Sequence, residues 1–306
     1  MSTRLEEFFA QSSFAAPDCI VVATALSDLE YLVPQAIAEA EAAHAELAFV
    51  HAIVQGELPV QATYHNPLKA DRDARLTLEV MARHVRARGL TCVTAVRHGA
   101  VRDVVDEMVQ ETCAGRLLLG ARSKDVRAIA GLGSVSRQLL THQWIPVSCV
   151  SPGKDGGARA QLAPKTILYP VTSSKATADH TKLVRDLSKY FRAELVVMHA
   201  SKDGAMASLT AGSCAAACPL GLWPEAKRIV KPEVNAKAIL ETAHGIGADL
   251  ILLDRPDLFD SEPGLQMISE VVHTADCQIL VGHCVTPGSD ALLQLSALSA
   301  SAKTAR

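Results

Sequence analysis

The feature that most constrains the fold is a repeat. Ala45 to Ala52, AELAFVHA, lies over Ala193 to Ala200, AELVVMHA, with His51 and His199 at the same place. Each octapeptide is an apolar run of strand length, and each follows a segment whose apolar residues recur at helical spacing. The chain therefore reads as a duplication. In the first copy Cys19 to Ser27, CIVVATALS, ends a β-branched run in small polar residues, as a buried parallel strand does. Leu29, Leu32, Val33, Ala36, Ile37 and Ala40 then recur at intervals of three and four and mark a helix face. Glu46 to Ile53 is the second strand. Leu78, Met81, Ala82 and Val85 mark the second helix, which Gly89 ends, and LTCVTAVRH is the third strand. Val101, Val104, Val105, Met108 and Val109 form the apolar face of a third helix, with Asp103, Asp106 and Glu107 facing solvent. RLLLGA and WIPVSCV supply strands four and five, with a fourth helix between them. Such alternation implies a doubly wound parallel sheet, because each crossover must bury its apolar face on the sheet.

Residues 153–164, rich in Gly, Ala, Pro and charge, read as a linker. The expected division is a first domain over 1–152, a second over 165–285 and a tail over 286–306, which is either disordered or docks through Leu292, Leu293, Leu295 and Leu298. The second copy offers TILYPVTSS, a helix face of Leu183, Val184, Leu187, Tyr190 and Phe191, then AELVVMHA, ADLILLDRP and CQILVGH as strands. A small-residue stretch stands in for much of its second helix and third strand. Two doubly wound five-stranded parallel sheets in tandem are expected, the second shortened.

A chain of 306 residues can bury two ordinary cores. Although 49% of residues are hydrophobic, no apolar stretch approaches the roughly 20 residues of a membrane span. The N-terminus lacks the pattern of a secretory signal, so the expected location is the cytoplasm, with no membrane association. A net charge of -3 with both signs interspersed gives no field for a nucleic acid. Most of the eight cysteines sit in or beside apolar runs, as small hydrophobes. Cys214 and Cys218 lack a second pair at finger-like spacing, so no metal is expected.

The stretch from Gly115 to Val150 reads as strand, loop, helix and strand, and its loop is the one candidate phosphate cradle. Gly120 closes an apolar run, Ser123 follows, and residues 124–132 lead to Gly133 and Ser134. Gly120, Gly131 and Gly133 would let backbone amides approach an anion, while the following helix offers its N-terminal amides and Ser134 a hydroxyl and a cap. Arg122, Lys124 and Arg127 add positive charge to the loop.

This spacing resembles the motif of the universal stress protein family, G-x-x-G-x9-G-S/T, with Ser123 where a second Gly is usual. Val21 to Ser27, VVATALS, is similar to the family's first strand, V-V/L-V-A-T/V-D-G-S. Thr274 to Val281, TADCQILV, is similar to its last, H-A-x-C-P-V-L-V. The resemblance covers nearly the whole chain as two copies and implies the adenine-nucleotide alpha-hydrolase-like fold. It assigns Gly120, Arg122, Ser123, Gly131, Gly133 and Ser134 to a nucleotide, with ATP the expected ligand. It also implies that an Asp ending strand one contacts the nucleoside; Ala25 and Thr172 stand at that place in the two copies. Weak ATP binding by the first copy follows. Around the second copy's fourth strand, Asp257, Asp260 and Glu262 would repel a polyphosphate. Family members pair through their last strands, which implies pairing of the two copies within the chain and leaves a homo-oligomer open.

No nucleophile stands beside a base, so slow ATP hydrolysis is the most that catalysis could amount to. His51 and His199 read as structural residues at strand ends. The expected function is a tandem regulatory or protective stress-response module, with a scaffold bearing a vestigial site as the alternative.

Overall fold

The computed structural model describes residues 16–54, 67–121, 133–151, 164–171, 178–200, 225–254 and 262–282. In the first half β1 (Cys19–Ala23), α1 (Leu29–Ala43), β2 (Glu46–Ile53), α2 (Pro67–Arg86), β3 (Cys92–His98), α3 (Val101–Thr112), β4 (Arg116–Gly120), α4 (Ser134–His142) and β5 (Val147–Val150) alternate as the periodicity predicts. The second half runs β6 (Thr166–Pro170), α5 (Ala178–Phe191), β7 (Glu194–Ala200), β8 (Lys227–Lys231), α6 (Ala236–Ile246), β9 (Leu250–Asp254), α7 (Glu262–Thr274) and β10 (Gln278–Gly282). Gly89, at φ +82°, accepts the left-handed turn that leads out of α2.

One expectation is refined and one is corrected. The two five-stranded sheets join into a single one of ten described strands, in the order β3-β2-β1-β4-β5-β10-β9-β6-β7-β8. Pairing is parallel within each half, and the halves meet where β10 runs antiparallel to β5, with Leu280 opposite Ser148. The physical reason is that each half would otherwise end in a bare, buried-type strand such as VSCV, and an unpaired edge of that kind is a liability. The second half also keeps its third strand: β8 pairs parallel with β7, Met198 opposite Ile229. Its KRIVK sequence is short and charged, as suits the outer edge of a sheet, and that charge hid it from a search for apolar runs.

The core follows the layers. On the face covered by α3, α4, α6 and α7, one apolar cluster runs unbroken from Val21 and Leu117 to Ile251 and Val281. On the face covered by α1, α2 and α5 there are two clusters, one around Phe49 and Leu78 and the other around Tyr169 and Leu187. Cys19, Cys92 and Cys149 are buried, and burial pushes their thiols up to about 11, 11 and 12. Cys113 is exposed instead, at the left-handed end of α3. Asp106 does not face solvent as the helical period suggests. It accepts from Gln143 Nε2 at 2.5 Å and lies 3.5 Å from Arg102, while burial raises its pKa. Among the described residues no helix is long and apolar enough to cross a membrane. The tail, Lys124, Arg127, Thr172, Cys214, Cys218, Asp257 and Asp260 lie outside the described residues.

Candidate functional site

In the first half the chain moves outward from β1 to β2 and β3, then returns to place β4 and β5 on the other side of β1. Strand order therefore reverses between β1 and β4, and in such sheets the carboxyl ends at the reversal are where ligands bind. A cleft of ≈ 400 Å³ lies there. Its polar lining comes from Thr24, Ser27, Asp28, His51 and Ser136, its floor from residues such as Val50 and Leu139, and its rim from Gly120 and Gly133. No Lys or Arg is among its described lining residues.

The turn after β1 shapes one end. Leu26 takes a left-handed φ of 66°, which brings Asp28 back over the end of the strand. Asp28 Oδ1 accepts from the Thr24 hydroxyl and from the Ala25 amide at 3.1 Å, and Oδ2 accepts from that amide at 3.2 Å. The Leu26 amide donates to Thr24 Oγ1 at 2.9 Å. Burial raises the pKa of Asp28, with the Thr24 and Ala25 bonds pulling the other way. His51 Nδ1 stands 2.9 Å from the Thr24 carbonyl oxygen. Ala25 itself brings no acceptor, but a carboxylate three residues along reaches the same end of the cleft. Reading the strand-end position alone missed it, because the left-handed turn that brings Asp28 back is a tertiary feature of Thr24 to Asp28.

Gly120 is held by a different constraint from phosphate approach. A Cβ there would lie 2.6 Å from the Tyr31 hydroxyl oxygen and 3.0 Å from Asp28 Oδ2, so the bare backbone makes room for these two side chains of the protein itself. Gly133 differs. A Cβ there would meet nothing within 4 Å, and its φ of -56° suits any residue. It occupies the cap position of α4 with no side-chain cap bond, so the helix begins at Ser134 rather than being capped by it. The first-turn amides of α4 thus open on the cleft, and Ser136 Oγ donates to the Gly120 carbonyl at 3.0 Å, tying the helix to β4. Of the expected site residues the structure brings Gly120 and Gly133 to one cleft, with Ser134 beginning α4 beside it. Arg122, Ser123 and Gly131 lie outside the described residues.

In the second half Asp254 ends β9 where Gly120 ends β4, and it is 4% exposed. His199 matches His51 but is 7% exposed, its Nδ1 without a partner among the described residues, and burial followed by the Arg228 charge lowers its pKa. No group of His, Cys, Asp and Glu suited to a metal ion occurs among the described residues.

Comparison with known proteins agrees with this geometry. The family described as "Universal stress protein family" matches residues 18–151. A universal stress protein from Archaeoglobus fulgidus DSM 4304 is similar over 89% of this chain and 97% of its own, at 18% identity and a TM-score of 0.65. The functionally unknown protein PA1789 from Pseudomonas aeruginosa PAO1 is similar over 94% of this chain and 99% of its own, at 16% identity and a TM-score of 0.63. At these identities the two likenesses show a shared fold. None of the curated proteins searched matches the chain. Residues 18–151, which hold the whole of the first five-stranded unit and its cleft, thus match the universal stress protein family.

Proposed function

We propose that the first-half cleft takes an adenine nucleotide such as ATP, weakly, and that the chain works as a regulatory or protective stress-response module of two domains, 1–152 and 165–285, joined by 153–164. The single observation that carries this reading is the N-terminus of α4 at Gly133, without a side-chain cap among the described residues and facing a cleft of ≈ 400 Å³ at the reversal of strand order. The N-terminal amides of a helix favour an anion. The apolar floor of Val50, Leu139 and Val101 suits the flat base of a nucleoside. Phosphates would lie toward α4 and away from Asp28, since like charges repel. The motif residues Arg122, Ser123, Gly131 and Ser134 complete the phosphate side of the reading. The mechanism is a ligand-dependent shift between states rather than turnover.

Affinity is expected to be low, because Ala25 offers no carboxylate and Asp28 already accepts from Thr24 and Ala25. Titration calorimetry of the full chain with ATP checks this. A saturable isotherm with Kd on the order of 1 mM or tighter is expected, and the absence of saturable heat at millimolar ATP would remove the reading. One observation favours the alternative of a scaffold with a vestigial site: Asp28 satisfies the turn amide without any ligand. Light scattering of the full chain with and without ATP separates the two, since a scaffold keeps its assembly state whatever the ligand.

A further inference from the structure

Where the apolar core is interrupted, on the α1 and α5 face of the β5–β10 seam, lies a buried polar cluster. Glu39, on α1, is 8% exposed and is the acceptor at its centre. Its Oε2 accepts from Arg116 on β4 at 3.4 Å and from Ser148 Oγ on β5 at 3.2 Å. Its Oε1 accepts from Gln35 at 3.3 Å and, across the seam, from Gln278 Nε2 on β10 at 2.6 Å. Arg116 is 3% exposed and Ser148 fully buried.

The two halves are related across this seam by the pairing itself, and the relation identifies each residue's counterpart. Ile20 pairs with Arg116 as Ile167 pairs with Leu250, so Arg116 corresponds to Leu250. Leu117 pairs with Val147 as Ile251 pairs with Ile279, so Ser148 corresponds to Leu280, the residue it faces. The Ala45 amide bonds to Ala40 O as the Ala193 amide bonds to Ser188 O, so Glu39 corresponds to Leu187. By the same register Gln278 corresponds to Pro146, which has no donor to offer. Glu39, Arg116 and Ser148 therefore face Leu187, Leu250 and Leu280: one half brings an acid, a base and a hydroxyl to the seam, and the other brings three leucines.

We infer that this cluster makes the seam selective for unlike halves. In a seam between two first halves of separate chains, each Glu39 would lose Gln278 and face Pro146, with a second buried Glu39–Arg116 pair brought to the same junction. In a seam between two second halves Gln278, half-buried, would lose its acceptor. Leaving such groups unmatched is costly, whereas apolar replacements of a buried polar set are often tolerated, so the cluster acts on partner choice more than on stability. A like-half seam always joins two chains, while an unlike-half seam can close within one. The chosen partner of each last strand is thus the other kind of half, which its own chain supplies at the highest local concentration.

The test uses the full chain. Glu39→Leu, Arg116→Leu and Ser148→Leu together give the first half the leucines of the second. Wild type and variant are unfolded, refolded over a range of concentrations and measured by light scattering after size exclusion. The variant is expected to keep the wild-type far-ultraviolet spectrum and to gain concentration-dependent higher-mass species, at least tenfold more abundant than in wild type. Gln278→Leu, which removes the donor from across the seam alone, is expected to shift the distribution in the same direction by less. An unchanged mass distribution in both variants overturns the inference. Failure of the triple variant to fold also overturns it, because leucines would then be unable to replace what the second half does without.

Discussion

Gly120 and Asp254 close equivalent central strands, each beside the reversal of strand order in its half. The glycine leaves space that Tyr31 and Asp28 occupy, and the cleft opens beyond them. The aspartate instead puts a buried carboxylate at the matching strand end. The same contrast recurs at the seam, where Glu39, Arg116 and Ser148 meet Leu187, Leu250 and Leu280. Backbone topology is common to both halves, while the chemistry at equivalent places has diverged. What this teaches is that a duplicated fold constrains strand order and register tightly and leaves the strand ends and the seam open to change.

Swapping the character of equivalent residues should break the comparison most severely at the seam. Leu187→Glu buries a second carboxylate beside Leu250 and Leu280 and across from Glu39, where Leu250 stands at the place of the guanidinium that Glu39 meets. An unpaired buried charge of this kind costs about 3–5 kcal/mol, so the variant is expected to be largely unfolded at room temperature. Urea unfolding followed by circular dichroism reads this directly, and wild-type stability would show that the two seam surfaces are interchangeable.

Next in size is Gly120→Ala, whose methyl group must displace the Tyr31 hydroxyl now 2.6 Å from its place. Overpacking should cost about 1–3 kcal/mol, seen as a lower urea midpoint. By contrast Gly133→Asp adds a side chain to open space and should leave stability within about 0.5 kcal/mol. Its carboxylate, placed at the first turn of α4, should weaken ATP binding at least roughly tenfold, or about 1.4 kcal/mol. Equal ATP affinity in the variant would detach the nucleotide from α4.

The smallest effect is a pH dependence. Burial raises the pKa of Asp28, so at mildly acid pH the folded protein holds a proton there that the unfolded chain releases. Stability from this group is therefore lost as pH rises from about 4, the ordinary carboxylate value, through the raised folded value. Asp28→Asn cannot ionise, and its melting temperature relative to wild type should climb over that window. The same change should favour anion binding near neutrality, with the variant's advantage in ATP affinity shrinking toward none as pH falls. A constant difference in melting temperature would place the charge of Asp28 outside the folding linkage.

Much of the fold was legible because helical and strand periods report burial directly. Leu29 to Ala40 and Val101 to Val109 show which face meets a sheet before any partner is known, and AELAFVHA with AELVVMHA shows that the unit occurs twice. The β8 strand was not legible, since a charged edge carries no apolar signature. Nor was Asp106, whose helical position faces outward but whose carboxylate meets Gln143 from the α4–β5 turn. At the site, the sequence spacing brought out Gly120 and Gly133 but gave them one role. The structure separates them, because one is hemmed in by Tyr31 and the other is open.

The sequence by itself determined the alternation of strands and helices, the duplication and the place of the first-half cleft, all of which follow from local period and chain order. Only the tertiary structure decided that ten strands form a single sheet, that Asp28 reaches the place left by Ala25, and that Glu39 finds Gln278 more than two hundred residues away. Those outcomes depend on which buried polar group meets which donor. That meeting is settled by packing across the whole molecule, where an unmatched group is costly, and no local pattern records it.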